Sequence, residues 1–470
     1  MENVAELETR RDLGKALRQK VSRGAHTAVG NVDRDPIRLL EENSKGRVER
    51  LIPLRYGRMI ASPFTFYRGS AIIQAHDLAG TPNSGLKLQI CGDCHLSNFG
   101  GFATPERALL FDVNDFDETS PGPWEWDLKR LTASFVVAAR HLRHGAKVAD
   151  DLVFEVVNSY RDHMAEYAEM GILETWYDRI TFERLLDITV DPDIQKRIRR
   201  AMERAAARTH ESLLPKLTER EGDRWRILDA PPAVFHVHGE HTLFNTEDDW
   251  LRFDNPDAVI AKFYQEYVST LAQDRRLLLS HFTLQDTAFK VVGVGSVGTR
   301  CLIQLMIDRH GKPLFLQVKQ ASQSVIARYF KSPAVSHEGR RVVEGQRLMQ
   351  AASDLFLGWA KGPTGRHFYV RQLRDMKFSA DIELMDPNLL AAYARVCGWV
   401  LARSHAKASG MAAEISGYLG TSDRMAESMT AYSNAYADQV ERDYDVFVKA
   451  CRSGRLEART DADMAADFRV

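Results

Sequence analysis

Two islands of strand-like period, residues 86–117 and 288–376, interrupt a chain whose other long stretches carry helical spacing. In the first island, LKLQICGD and ALLFDVNDFDE flank the glycine-rich NFGGFATPER. The second runs FKVVGVGSVGTRCLIQLMI, a DRHGKP turn, LFLQVKQAS, a helical RRVVEGQRLMQAAS, then FLGWA and HFYVRQL. Around them, WEWDLKRLTASFVVAARHL repeats Leu128, Leu131, Phe135 and Leu142 at helical spacing, the mark of a buried amphipathic helix. NLLAAYARVCGWVLARSHAKASG and MTAYSNAYADQVERDYDVFVKAC are also helical. Strands that arrive in two separate blocks among helices predict an α+β fold.

The stretch ICGDCHLSNFGG supports three incompatible readings. Cys91-Gly-Asp-Cys94-His95 fits the C-x-x-C-H of haem attachment, and its cysteine pair alone fits a thiol redox protein. Without the cysteines it is a loop that sets Asp93 and Asn98 five residues apart. The opening MENVAELETRRDLGKALRQK has no apolar stretch, and five scattered cysteines suit free thiols, so a reducing cytoplasm is expected and haem attachment disfavoured. No thioredoxin-like βαβ pattern surrounds the pair, which leaves the cysteines as packing residues. No apolar run is long enough to span a bilayer, and acids and bases are interspersed to a net charge of −1. Neither a membrane nor nucleic acid is therefore expected as a partner.

The third reading carries chemistry. Asp115 closes the second apolar run, in Asn114-Asp115-Phe116-Asp117. One carboxylate to orient a hydroxyl, with a carboxamide and a second carboxylate to hold Mg²⁺, is the set phosphoryl transfer needs. GDCHLSN resembles the H-G-D-x-H-x-x-N catalytic loop of the aminoglycoside-phosphotransferase and choline-kinase branch of protein-kinase-like folds. In that branch a metal-binding Asp and a G-D-P-x-x-D-L run follow. Here Asp115 is followed, at the same Asp-to-Gly spacing, by Gly122-Pro123-Trp124-Glu125-Trp126-Asp127-Leu128. The resemblance implies that Asp93 is catalytic, that Asn98 and Asp115 hold metal, and that buried Asp127 braces the loop. Cys91 replaces the usual His, and Pro follows Gly122 directly, which makes the relation distant. Asp112 and Asp117 remain alternative metal carboxylates.

A kinase-like enzyme also needs a phosphate-covering loop and a lysine on a neighbouring strand. Gly293-Val-Gly295-Ser-Val-Gly298 supplies the glycines, but a dinucleotide fold would use the same spacing. A dinucleotide unit requires a helix to open at the third glycine. CLIQLMI, DRHGKP and LFLQVK read instead as an antiparallel hairpin. Lys319 then resembles the strand lysine that reaches the nucleotide phosphates, with Glu344 in the next helix as its ion-pair partner and Glu338 as the alternative. ATP, or another nucleoside triphosphate, and Mg²⁺ are the implied cofactors.

The order of these parts differs from that of ordinary kinase-like chains, which run from glycine loop to catalytic loop. Here the catalytic loop precedes the glycine loop, and YARVCGWVLARSHAKASG, like the helix that normally leads into the catalytic loop, comes last. A circular permutation of the protein-kinase-like fold accounts for this order. It places an N-terminal helical segment at 1–85, a large lobe at 86–284, a small nucleotide-binding β-rich lobe at 285–380 and returning helices at 381–470. Contact between residues 288–376 and both Asp93 and Asp115 is its test. The chain also resembles the bacterial family known as domain of unknown function 2252, through RMIASPFTFYRGSA, GDCHLSNFGGF, NDFDETSPGPWEWDLKRLTAS, VGVGSVGTRC, LQVKQA and GWVLARSHA.

The expected function is ATP- and Mg²⁺-dependent phosphoryl transfer to a small-molecule or protein hydroxyl. The alternatives are a nucleotide-binding pseudokinase or regulatory module, and an AMP transferase that holds its nucleotide inverted. Weaker signals are the His236-Val-His238-Gly-Glu240-His241 cluster, whose spacing suits a transition metal, and its echo of the catalytic loop through Asn245. Arg68 suits a phosphate, an acidic substrate or a helix C-terminus. Arg371 and Arg374 are candidate nucleotide or substrate contacts, and His95 is read as a hydrogen-bonder within its loop.

Overall fold

The computed structural model describes residues 7–209, 211–238, 242–244, 256–330, 335–373 and 376–468. The chain is an α+β protein. Among the described residues no helix is long and apolar enough to cross a membrane.

The strands, in chain order, are β1 (Lys87–Ile90), β2 (Phe99–Ala103), β3 (Leu109–Val113), β4 (Ser120–Pro123), β5 (Thr218–Glu221), β6 (Arg224–Ile227), β7 (Val234–Phe235), β8 (Phe282–Lys290), β9 (Cys301–Asp308), β10 (Pro313–Ala321), β11 (Gly358–Lys361), β12 (His367–Gln372) and β13 (Phe378–Ser379). The first island folds as small antiparallel pairings, β1 with β4 and β13–β2–β3. The second forms a six-stranded sheet in the order β11-β12-β10-β9-β8-β7. Every pairing in that sheet is antiparallel, and the glycine-rich segment joins β8 to β9 with no helix opening at Gly298. The dinucleotide reading of the glycines is thereby removed.

The sheet draws on residues to either side of position 285. The Pro256–Ser269 helix packs on β11, and the β5–β6 ribbon packs on β8. Alternation along β10 sends Leu314, Leu316 and Val318 to one apolar cluster with Tyr267 and Phe368, while Phe315 joins Ile303 and Ile227 on the opposite face. Both faces are covered, so β10 is buried almost throughout, and Lys319 lies within it on the Phe315 side.

The helical body packs around the Trp124–His141, Ala146–Glu169, Pro387–Ser409 and Arg424–Arg452 helices. Its apolar cluster runs without a break into the β1–β4 region and the residues Cys91, Cys94 and Leu96 of the loop after β1. One buried ion pair pins the sheet-side helix to this body. Asp112 on β3 accepts from Arg403 Nη2 at 2.7 and 2.8 Å, and from the backbone N–H of Ala351 just beyond the Glu338–Met349 helix. Both side chains of the pair are 1% exposed.

A carboxylate committed in this way has structural work, so Asp112 is not a metal ligand. Removing one partner of such a pair strands a buried charge. Asp112→Ala is therefore expected to lower unfolding free energy by about 3–5 kcal/mol in denaturant titration. Asp151→Ala, which breaks only the exposed Lys147 pair, should change it by less than about 0.5 kcal/mol.

Candidate functional site

The loop after β1 is held from several sides. Asp127, in the first turn of the Trp124–His141 helix, accepts from the backbone N–H groups of Cys91 and Gly92 at 2.8 and 2.9 Å. His405 Nε2 lies 3.2 Å from the same carboxylate, and its Nδ1 meets Tyr160 Oη. Farther along, Leu96 N donates to Ser134 Oγ, and Tyr393 Oη donates to the Leu96 carbonyl. The brace expected of Asp127 is present in the geometry, and the helix that carries Tyr393, Arg403 and His405 lies directly behind the loop. Cys91 and Cys94 are buried free thiols that burial pushes above the ordinary cysteine value, Cys94 to about 11. They cluster with Asp127, but that carboxylate is already spent on backbone N–H groups and His405, and metal binding would require thiolates. The pair is packing.

Asp93 and Asn98 face a cavity of about 320 Å³, the size of a small-molecule site. Asp115, Asp117 and Glu118 line it from the turn after β3, and Gly293, Val294, Gly295 and Ser296 line it from the glycine loop. The two islands are thus in contact at this cavity. Asp93 Oδ1 takes both the Nε and Nη2 of Arg130, at 2.9 and 2.7 Å, which leaves Oδ2 with His95 Nε2 at 3.8 Å. Burial pushes the Asp93 carboxyl above the usual range, and Arg130 and Arg68 pull against that. Asn98 Nδ2 donates to the Asp93 carbonyl at 2.8 Å, so its Oδ1 is the end free to face a cation. Asp115 Oδ1 accepts from Asp117 N at 3.1 Å, and burial together with the Asp117 charge raises its carboxyl.

Lys319 meets Asp117, not Glu344. Lys319 Nζ donates to Asp117 Oδ2, and Tyr369 Oη, cross-strand neighbour of Lys319, donates to Oδ1 at 2.8 Å. Burial opposes both charges, yet the pairing holds Asp117 below the usual carboxylate range and Lys319 above the usual lysine range. Glu344 lies on the outer face of its helix, 48% exposed, and pairs with Arg340 one turn earlier. The inward face of that helix carries Arg341, Gly345 and Gln346. Gly345 approaches Thr119 so closely that an added Cβ would lie 2.4 Å from its methyl. No longer residue fits there. Glu338, the other candidate, pairs with Arg341 at 2.5 Å; Arg341 in turn donates to the carbonyls of Thr119, Asp117 and Ser322. Arg341 therefore ties the helix to the acidic turn.

The glycine loop is anchored by its carbonyls. Arg47 Nη1 holds the Gly295 and Val297 oxygens at 2.8 and 2.6 Å, Arg58 holds Gly293 O, and Val48 N donates to Gly298 O. The backbone N–H groups of Val294, Gly295 and Ser296 have no acceptor among the described residues. Gly293 and Gly298 have φ of 64° and 85°, and a Cβ on Gly295 would lie 3.3 Å from the Arg68 carbonyl. Ser296 Oγ reaches Asp117 at 3.3 Å. Carbonyls fixed on one side and donors left free around a cavity make a fitting cradle for phosphate oxygens. Asn98 Oδ1 and the Asp115 carboxylate are the hard oxygen donors that suit Mg²⁺.

Arg371 lies beside this cluster but is engaged, donating to Gln317 Oε1 at 2.9 Å and to the Asn114 carbonyl. Arg374 lies outside the described residues, as do Glu240, His241 and Asn245. His236 has both ring nitrogens on carboxylates, Nδ1 to Asp229 at 2.8 Å and Nε2 to Asp286 at 2.9 Å. Arg130 and Arg47 were not singled out from sequence. The one available signal was a pair of basic residues, Lys129 and Arg130, inside an apolar helix face.

A family model described as "Uncharacterized protein conserved in bacteria (DUF2252)" matches residues 47–450. The chain belongs to the DUF2252 family. No curated protein and no solved structure matches it. The match takes in the catalytic loop, the acidic turn, the glycine loop and Lys319, so the whole cavity wall from Arg47 onward lies within the DUF2252 region.

Two outcomes follow from these placements. Lys319→Met strands Asp117 and should cost about 3–5 kcal/mol of stability, whereas Glu344→Ala should cost less than about 0.5 kcal/mol, both by denaturant titration. The His236 pKa is raised, first by its hydrogen bond to Asp286. Its folded value lies above its unfolded one, so the stabilisation is complete below the unfolded pKa and fades as pH rises through the folded value. His236→Gln should therefore lower the melting temperature most near pH ~6 and least near pH ~9.

Proposed function

We propose that this DUF2252 protein is an ATP- and Mg²⁺-dependent phosphotransferase on a circularly permuted, protein-kinase-like arrangement. The observation that carries the reading is the convergence on one cavity of Asp93, Asn98, Asp115 and the glycine loop, with Lys319 held against its acidic wall by Asp117. The permutation has its own support. The Pro387–Ser409 helix, last of the core parts in sequence, packs behind the catalytic loop through Tyr393 and His405, where an unpermuted chain would have the helix that leads into it.

Bound ATP supplies the phosphoryl group, its bond to ADP breaking as the acceptor oxygen bonds phosphorus, and Mg²⁺ offsets the phosphate charge. Asp93 Oδ2, the oxygen not taken by Arg130, accepts the acceptor's proton. Arg130 fixes the rotamer of that carboxylate, and Asp127 fixes the loop beneath it. Asn98 Oδ1 and Asp115 hold the metal. The N–H groups of Val294, Gly295 and Ser296 meet phosphate oxygens, and Lys319 contributes its charge beside them. Asp117 takes the place that Glu occupies in a kinase Lys–Glu pair, which explains why Glu344 is free to lie on the surface.

One observation favours the nucleotidyl-transfer variant as a second reading. Gln317, on the same face of β10 as Lys319, is hydrogen-bonded to Arg371 and Cys301, so side chains fill the sheet face beside the lysine. A base excluded from there would lie toward the Glu42–Arg47 side of the cavity, with the phosphate chain reversed.

ATP with Mg²⁺ should raise the melting temperature of the wild type, and ATP with EDTA should raise it much less. Asp115→Asn should remove that Mg²⁺ dependence. Asp93→Asn should keep nucleotide binding and lose on the order of 10²–10⁴-fold in ATP turnover. The adduct mass on any acceptor, phosphate or AMP, separates the two readings. No thermal response to any nucleoside triphosphate would overturn both.

A further inference from the structure

Arg68 is a cation without a hydrogen-bonding partner beside the proposed base. It sits in the last turn of the Pro63–Gly69 helix, yet the Tyr67 carbonyl there is taken by Ser70 N and Arg130 Nη2. No hydrogen bond or ion pair joins the Arg68 guanidinium to any described residue. Its Nε is buried and unsatisfied, and its guanidinium lies over the face of Phe64, 5.7 Å from the ring centroid. The helix-capping role expected as one alternative is therefore not the one it plays.

Arg68 lines the same cavity as Asp93 and His95. His95 is 3% exposed, and its Nδ1 is likewise buried without a partner. Arg68 is among the strongest charges acting on Asp93 and His95. The strongest acting on Asp115 are Asp117, Lys319 and Arg371, and on Lys319 they are Asp117, Tyr369, Asp115 and Arg371, with Arg68 in neither set. Arg68 thus belongs to the Asp93 end of the cavity, where an acceptor hydroxyl must sit, and not to the lysine end. Arg68 is half-buried with the charges of Asp93 and Glu383 near it, and its unsatisfied Nε leaves a desolvation cost that an anionic ligand would offset.

We propose that Arg68, with His95 beside it, binds an anionic group of the acceptor, so that the substrate is a hydroxyl compound bearing a carboxylate or a phosphomonoester. The inference rests on the phosphotransferase reading for the meaning of "acceptor", but the anion site is measurable without turnover. The nucleotide's own phosphates are the other source of the same chemistry, and the arms below separate them.

Full-length protein is titrated calorimetrically with glycerate and glycerol 3-phosphate, and with glycerol and ethanolamine as uncharged and cationic controls. Each titration is run on protein alone and on protein saturated with a non-hydrolysable ATP analogue and Mg²⁺. The two anions should bind in both states and the controls in neither. Arg68→Gln should weaken the anions on the order of ten- to hundredfold, as expected for a lost charged hydrogen bond. Arg68→Lys should recover part of that affinity, and the exposed Arg452→Gln should behave as wild type. Because Arg68 makes no internal hydrogen bond, melting of Arg68→Gln should stay near wild type; if it does not, Arg68→Lys carries the comparison. The inference is overturned if neither anion binds, if anion affinity is unaffected at Arg68, or if Arg68→Gln weakens the ATP analogue and leaves the anions unchanged. Loss of the ATP response with Arg68-dependent anion binding intact would instead overturn the phosphotransferase reading alone.

Discussion

The site depends on the buried pair between Lys319 and Asp117. It joins the middle of a six-stranded sheet to a turn that belongs to the helical body, and two charges in such a place are expensive unless each has further partners. Asp117 has them in Tyr369 Oη and Ser296 Oγ. Tyr369 is opposite Lys319 in the β10–β12 register, so a one-residue slip of β12 would send it to the wrong face and leave Asp117 short of a donor. Sheet register, lobe contact and the charge state of the acidic turn are therefore one constraint. Arg341 strengthens it by holding the Asp117 and Thr119 carbonyls from the helix that follows β10.

The glycine loop depends on a different neighbour. Its carbonyls are held by Arg47 and Arg58 and by Val48 N, all from the N-terminal helical segment, and Val297 packs with Val48, Leu51 and Leu54. A glycine-rich loop with its oxygens tied back has lost much of the entropy that glycine brings, and its N–H groups are left as the uncommitted polar edge. The N-terminal segment is thus part of the cavity, both as an anchor for the loop and through Arg68.

Much of this was legible in sequence. The change of period marked both strand islands, because alternation and glycine punctuation are local signals. Asp93, Asn98 and Asp115 were singled out as a carboxylate–carboxamide–carboxylate set, and Asp127 only through the resemblance to the kinase-like catalytic loop; all four fall within residues 93–127. Lys319 was legible from its strand but its partner was not. Glu344 was chosen for being one helix away, and the helical phase set by Val342, Gly345 and Met349 puts it outside. Asp117 could not be chosen as the partner, because nothing local records that the turn and β10 meet. Arg130 and Arg47 escaped for the same reason: a buried arginine is defined by the groups around it, and those come from distant segments.

The loop that carries Asp93 shows how a conspicuous motif can mislead while the chemistry remains intact. Cys91 supplies a small side chain in the apolar core and leaves its backbone N–H to Asp127. What fixes the loop is that backbone contact, so the identity of the side chain at 91 matters less than its volume. Gly92, at φ of 82°, then turns the chain so that the Asp93 carboxylate faces the cavity and Arg130. An ion pair at Asp93 raises an energetic question, because Arg130 favours the Asp93 anion and so weakens its basicity. Burial pushes the other way and prevails, leaving a carboxyl above its usual range with one oxygen free. Orientation by a guanidinium and basicity restored by partial desolvation coexist at a carboxylate whose side chain is 21% exposed. Leu96, Phe99 and Val113 belong to the apolar core that carries this loop, and the anchored glycine loop lines the same cavity as Asp93, which accounts for the desolvation.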